Sequence, residues 1–155
     1  MAQGGTARGR VDEAERNKAA VRAFITAINR NDWAAVAAAV APDFVRHSDA
    51  AGPPGVTSRE DLIAFLRGER VTFPDAHETI EDLIAERDRV AARHRFTGTQ
   101  EGPLGPYPPS GRRMSAEYLA IYRVRDGIIV EAWAEWDNLI GLLQLGHIPP
   151  GFPRG

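Results

Sequence analysis

Hydrophobic positions in this chain first recur at helical spacing and then alternate. Between about Asp12 and Arg30, Val21, Phe24, Ile25 and Ile28 fall on one stripe, which predicts an amphipathic helix. Asn31 stands where it can cap a second helix, in which Trp33, Val36, Ala37 and Val40 recur until Pro42 stops it. Asp43 to His47 reads as a short extended piece, and Ala51-Gly52-Pro53-Pro54-Gly55 as a loop. Thr57 with Glu60 makes a capping box for a third helix, which carries Leu62, Ile63, Phe65 and Leu66 towards Gly68.

After Pro74 the period changes to two. Strands are predicted over about Ala76–Ala85, Val90–Thr97, Arg113–Arg125 and Gly127–Asn138, with a turn through Glu86-Arg87-Asp88. Asp126-Gly127 is the strongest hairpin signal in the chain. A proline- and glycine-rich connection, Glu101 to Gly111, separates the second and third strands and is expected to form a semi-rigid rim or a plain surface loop. A last short helix runs from Leu139 to Leu145 and ends at Gly146. Helices followed by strands predict an α+β fold with an antiparallel sheet. The expected division is a disordered segment over 1–11, one domain over 12–146 and an irregular tail over 147–155.

Composition narrows the function classes. A chain of 155 residues with a formal net charge of −2 and no basic run gives no reason to expect nucleic acid or an anionic membrane as partner. No apolar run is long enough to span a bilayer, and the first ten residues lack the apolar centre of a signal peptide. Without cysteine there is neither a disulfide nor a thiol nucleophile. A cytoplasmic setting is the expectation.

The Asp126-Gly127 turn serves as a ruler. A two-residue turn opposes Arg125 to Ile128, and then Tyr122 to Glu131, Ala120 to Trp133, Tyr118 to Glu135 and Ala116 to Asp137. One face then gathers Met114, Tyr118, Trp133, Glu135 and Asp137, with small residues beside large rings that leave room for a flat apolar or aromatic ligand. The other holds Leu119, Ile121, Val130, Ala132, Ala134 and Trp136, and a bulge would exchange the two. Since both faces carry apolar bulk and the helices cover one, the face of Leu119, Ile121 and Trp136 is expected to pack on a second subunit, in a homodimer or homotetramer.

Several residues are candidates for chemistry. Asp137 admits two roles, N-cap of the last helix or general acid/base at the end of a strand. His47 is placed either to polarise a carbonyl or to close a strand end by hydrogen bonding, and His94 shares a face with Val90, Ala92 and Phe96 as either a core residue or a ligand contact. No H-x-H, H-x-x-H or H-E-x-x-H spacing occurs, so no metal is expected. Glu131, Glu135 and Asp137 share a face, on which alternate residues stand about 7 Å apart along a strand.

The succession "PDFVRHS", "FPDAHETIEDLIAERDRVA", "GPLGPYPPSGRRM" and "IYRVRDGIIVEAWAEWDNLIGLLQLG" resembles the SnoaL-like polyketide cyclases, also called ester cyclases, of the NTF2-like superfamily. The resemblance covers roughly Glu15 to Gly146. It implies a cone made of a strongly curved sheet, with helices on its concave face and a pocket at the wide end. It also implies aldol ring closure of an aromatic polyketide ester without metal or cofactor, with Asp137 at the position of the acid/base aspartate. His47 and His77 match positions where the branch often carries pocket histidines, and they are expected to assist Asp137. Tyr118, Met114, Trp133, Glu135 and His94 are expected to contact the substrate. At position 94 the family often has an aromatic residue, so His94 is a departure that bears on which substrate fits. The superfamily also contains isomerases, hydrolases and non-catalytic small-molecule binders, and these stay open as alternatives.

Overall fold

The computed structural model describes residues 7–49 and 55–151. Helix α1 (Ala7–Asn29) leads to α2 (Trp33–Ala39), strand β1 (Val40–His47) and α3 (Arg59–Thr72). Strands β2 (His77–Glu86), β3 (Arg89–Thr99), β4 (Arg113–Arg125) and β5 (Ile128–Trp136) follow, and α4 (Asn138–Leu145) closes the fold. Helix α1 begins five residues before the expected start at Asp12 and includes residues 7–11, expected as disordered. Alanine and arginine are strong helix formers, and no proline interrupts them. The expectations for residues 1–6, for the loop through 51–54 and for 152–155 lie outside the described residues.

Two caps stand one residue later than expected. Asp32, not Asn31, caps α2 by accepting a hydrogen bond from the Ala35 amide at 3.0 Å. Ser58, not Thr57, caps α3, and Asp61 reaches back to accept from the Thr57 amide and hydroxyl. The helix runs through Gly68 to Thr72.

The sheet order is β1-β5-β4-β3-β2. The last four strands form an antiparallel meander, but β1 pairs parallel to β5, so the sheet is mixed rather than antiparallel. Pro42 is tolerated because β1 lies at the sheet edge, where a missing amide need not break a ladder. The sheet curves around the helices, with Val21, Phe24, Ile25 and Ile28 of α1 and Leu62 and Leu66 of α3 buried against it.

The hairpin turn forms as predicted: Asp126 and Gly127 both have positive φ, 50° and 79°, and Arg125 pairs with Ile128. Past Val124 the register slips by one. Arg123 opposes Glu131, Tyr122 opposes Ala132, Ala120 opposes Ala134 and Tyr118 opposes Trp136. Val130 is the extra residue of a bulge, and it reverses the expected faces of β5. Ala132, Ala134 and Trp136 turn inward, while Trp133 and the carboxylates Glu131 and Glu135 turn outward. Burying two carboxylates in the core would cost several kcal/mol each, of the same order as a whole domain's stability.

The outer face carries alternating ion pairs, Arg93–Glu117, Arg95–Glu81 and Arg123–Glu131. Beside them Leu119 and Ile121 remain 61% and 41% exposed. Trp136, expected on this face, belongs to the inside. No helix among the described residues is long and apolar enough to cross a membrane.

Candidate active site

Four elements deliver polar groups to the inside of the sheet. On β1 the two-residue alternation points Arg46 inward, with its guanidinium 4.7 Å over the Phe65 ring, and His47 outward. On α3 the stripe of Leu62, Phe65 and Leu66 continues to Glu69, which therefore faces the sheet. On β2 Glu78 points inward and is 5% exposed, while His77 points out. The Asn29 side chain grips the Glu78 backbone in both directions, donating to its carbonyl and accepting from its amide at 2.8 Å each.

The floor of the site is a run of stacked rings laid across three neighbouring strands. His94, Tyr118 and Trp136 are direct cross-strand partners. Their rings lie 4.5 Å and 3.9 Å apart, 8° and 14° from parallel. The Tyr118 hydroxyl donates to Glu78 Oε2, and the Tyr122 hydroxyl and His94 Nε2 are 3.1 Å apart.

Burial controls the protonation of this group. Glu69 is pushed up to about 8 by desolvation first and by the neighbouring Glu78 second, against Arg70 and Arg46. Glu78 is raised by its own desolvation, with Tyr118 and the two arginines opposing. His94 is lowered to about 4 by burial and is neutral at pH 7. Two like carboxyl groups in an apolar wall do not both ionise, so the site holds a neutral carboxylic acid at neutral pH.

Beside these groups lies a cavity of about 370 Å³, with walls from Phe65, Phe73, Phe96, Met114 and Trp136 and its charged residues Arg46 and Glu69. A narrow recess of about 40 Å³ extends to Glu78, Tyr118 and Tyr122. A second hollow of about 330 Å³ shares Leu104, Met114, Trp136 and Asn138 with the main cavity and reaches Asp137. The connection after β3 is a rim. Leu104 and Tyr107 line the outer hollow, and the Glu101 and Gly102 amides donate to Thr72 O at the end of α3. Gln100 Oε1 and His147 Nε2 lie 2.7 Å apart, and the His147 ring stacks on Tyr107.

The residues singled out from the sequence divide accordingly. Tyr118 and Met114 line the inner spaces. Asp137 is exposed beside the outer hollow and caps α4, its Oδ1 accepting from the Ile140 amide at 3.0 Å. His94 is buried behind Tyr118 and Tyr122 as part of the floor and borders none of these three spaces. His47 is on the outer face, 2.8 Å from Glu131 and stacked on Trp133. Trp133 lies there too, under Arg89 and Arg123, and Glu135 and His77 are exposed. The bulge at Val130 removes Trp133 and Glu135 from the inside, and strand alternation removes His47 and His77. Glu69, Glu78 and Arg46 were missed. The available signals were an acid continuing an apolar helical stripe and charged residues on inward strand positions. Among the described residues, no cluster of three or more histidine or carboxylate side chains is arranged to hold a metal ion.

The model of the SnoaL-like polyketide cyclase family matches residues 18–145. Among solved structures, IdmH of Streptomyces antibioticus, a candidate polyketide cyclase, is 34% identical, with 84% of this chain and 98% of that one covered and a TM-score of 0.76. AclR of Streptomyces galilaeus, a candidate hydroxylase, is 30% identical over 91% of this chain and 87% of its own, also with a TM-score of 0.76. TsrD of Streptomyces laurentii is 28% identical over 93% and 100%, with a TM-score of 0.76. No protein of curated function matches the chain.

The raised carboxyl and the lowered imidazole predict the pH dependence of stability. Between 4.5, its ordinary value, and about 8, Glu69 holds a proton in the folded state that the unfolded chain releases, so its contribution falls as pH rises. Between about 4 and 6.5 His94 has the opposite sign, because there the unfolded chain binds the extra proton and stability falls as pH falls. Glu78, also raised by burial, adds to the slope of Glu69, so the thermal midpoint falls with pH above about 4.5 and falls more steeply from about 6.5 to 8, where His94 no longer opposes the two carboxyls. Calorimetric melts across this range should show the decline reduced in Glu69→Gln.

Proposed function

The chain belongs to the SnoaL-like polyketide cyclase family, and we propose that it is a cyclase-type enzyme acting on a small, flat, largely apolar substrate by acid/base chemistry of its own side chains. One observation carries this reading: a carboxylic acid held neutral at pH 7, Glu69, borders a cavity whose outer hollow is bordered by a second carboxyl, Asp137. The volume suits a small-molecule site, and the walls are mostly aromatic and aliphatic.

In this reading Asp137 is the base. Capping engages its Oδ1, and Oδ2 is the oxygen assigned to remove a proton from a carbon activated by a carbonyl. The resulting carbanion attacks a second carbonyl carbon of the same molecule and a carbon–carbon bond forms. The carbonyl oxygen becomes an alkoxide and takes the Glu69 proton; solvent then returns the proton from Asp137 to Glu69. No electrons leave the substrate. A pair of carboxyl groups in different environments is suited to such a division, and each proton transfer is worth about 10²–10⁴ in rate. His47 and His77, which face away from the cavity, are given no part.

The capping bond and exposure of Asp137 favour one competing reading, a small-molecule binder with the same cavity. Asp137→Asn separates the two, because asparagine caps a helix about as well as aspartate. A thermal-shift screen of aromatic polyketide esters, steroids and epoxides, followed by product analysis, should find ligands that stabilise both forms. The variant is expected to lose about 10²–10⁴ in kcat/KM with ligand affinity kept. Stabilisation without product in the wild type favours the binder.

We also assign the exposed face around Leu119 and Ile121 to a second copy of the chain, for an apolar patch framed by charges of both signs is complementary to itself. Light scattering at micromolar concentration should give a dimer or tetramer, and a monomer refutes it.

A further inference from the structure

The rim between β3 and β4 borders the spaces that a ligand would enter: Leu104 lines both the main cavity and the outer hollow, and Gly105 and Tyr107 line the outer hollow beside Asp137. Its two halves are held differently. The near half is fastened to α3, with the Glu101 and Gly102 amides donating to Thr72 O at 2.9 and 3.1 Å and Thr72 Oγ1 donating to Pro103 O at 2.8 Å. Glycine permits that approach, since a Cβ at Gly102 would stand 2.4 Å from Val71 O. The far half is held from Gln100 and His147. Fully buried Gln100 donates from Nε2 to Gly102 O and Pro108 O at 3.2 and 3.1 Å, and the Tyr107 and His147 rings stack with centroids 4.7 Å apart.

Gln100 and His147 also meet each other, Oε1 to Nε2 at 2.7 Å. Because Gln100 Nε2 is turned to two carbonyls, Oε1 is the end that faces the imidazole, and His147 Nε2 is the donor. The place of His147 is set by the end of α4. Gly146 takes φ 81°, its amide donates to Leu143 O and the His147 amide donates to Leu142 O, so the ring stands at a fixed point beyond the helix. The rim it meets is stiff, with prolines at 103, 106, 108 and 109, and is followed by Gly111 at φ 67°. Such a segment moves as one piece when its far contacts part. We propose that His147 is the latch of this rim: its ring and its N–H hold the rim against the outer hollow, and their release admits a ligand to the cavity and lets it leave. The inference rests on the reading of the cavity as the substrate site. It makes His147, which borders neither space, a positioning residue that governs access and touches no reacting atom.

The test compares His147→Ala with His147→Phe, which keeps a ring for Tyr107 and loses the N–H. Hydrogen exchange of the peptide 103–112, read by mass spectrometry without ligand, should quicken roughly tenfold in His147→Ala and less in His147→Phe. The ligand probe is 4-nitroanisole, a flat, uncharged quencher of indole fluorescence, and stopped-flow quenching of Trp136 follows its entry and exit. Loss of the signal in Trp136→Phe assigns it to the cavity. Entry and exit should both be about tenfold faster in His147→Ala, with affinity kept within about twofold, and His147→Phe should fall between. A residue that merely supported the fold would lower the thermal midpoint and leave both rates alone, and that result overturns the latch. So does exchange at the wild-type rate in both variants. Quickened exchange with no quenching of Trp136 in any form upholds the latch and counts against the cavity as a ligand site. Binding with equal rates of entry and exit in all three forms does the reverse.

Discussion

The bulge at Val130 is the constraint on which the interior depends, because one extra residue in β5 decides which of two incompatible sets of side chains the sheet presents to the helices. With it, Ala132 and Ala134 line the recess, and Trp136 comes to lie on Tyr118. Without it, Glu131, Trp133 and Glu135 would occupy those places, and two carboxylates would lose their solvent. Outside, Glu131 instead joins Arg123 and His47, and Trp133 is covered by His47 and two arginines. The run of rings from His94 through Tyr118 to Trp136 exists only in the shifted register, since it needs all three residues opposite one another.

On that floor two arginines stand against two carboxyl groups that do not both ionise. Glu69 and Glu78 face the helices and strands with Arg46 and Arg70 as counter-charges and Tyr118 as a hydroxyl donor. Arg70 is largely occupied by backbone carbonyls of Ile28 and Ala76, which tie α3 to the end of α1 and the start of β2. Arg46 Nη1, like Arg70 Nε, has no hydrogen-bond partner among the described residues. The low polarity that makes Glu69 a neutral acid also strengthens any hydrogen bond made in the cavity. Stability and chemistry are therefore linked here: what lifts the Glu69 carboxyl also makes the protein less stable as pH rises.

Much of the fold was legible in the chain. The apolar stripe of α1, the limits of β4, the Asp126-Gly127 turn and the Gly146 stop follow from spacing and turn chemistry, and the motifs carried the family. The register of β5 did not follow, because Ile128-Ile129-Val130 is a continuous apolar run that fits either register, with no glycine or proline inside it to mark a bulge. Since a slip of one residue inverts a strand, that single unreadable feature misassigned Trp133, Glu135 and Trp136 together. The histidines misled for another reason: His47 and His77 each adjoin an inward residue, Arg46 and Glu78, and strand alternation assigns the pocket to the neighbour. Glu69 could have been noticed, as the acid that follows Leu62, Phe65 and Leu66 on their own stripe. Capping by Asp137 was visible from its place before α4.

The claim on which the account rests is that the cavity holds a neutral carboxylic acid at Glu69. Carbon-13 labelling of the glutamate side-chain carboxyls, with Glu69→Gln to assign the resonance, allows its titration to be followed directly by NMR. The account predicts a midpoint near 8. A midpoint near the ordinary 4.5 would mean that Glu69 is ionised at neutral pH and has no proton to give, and the acid/base account built on it would be wrong.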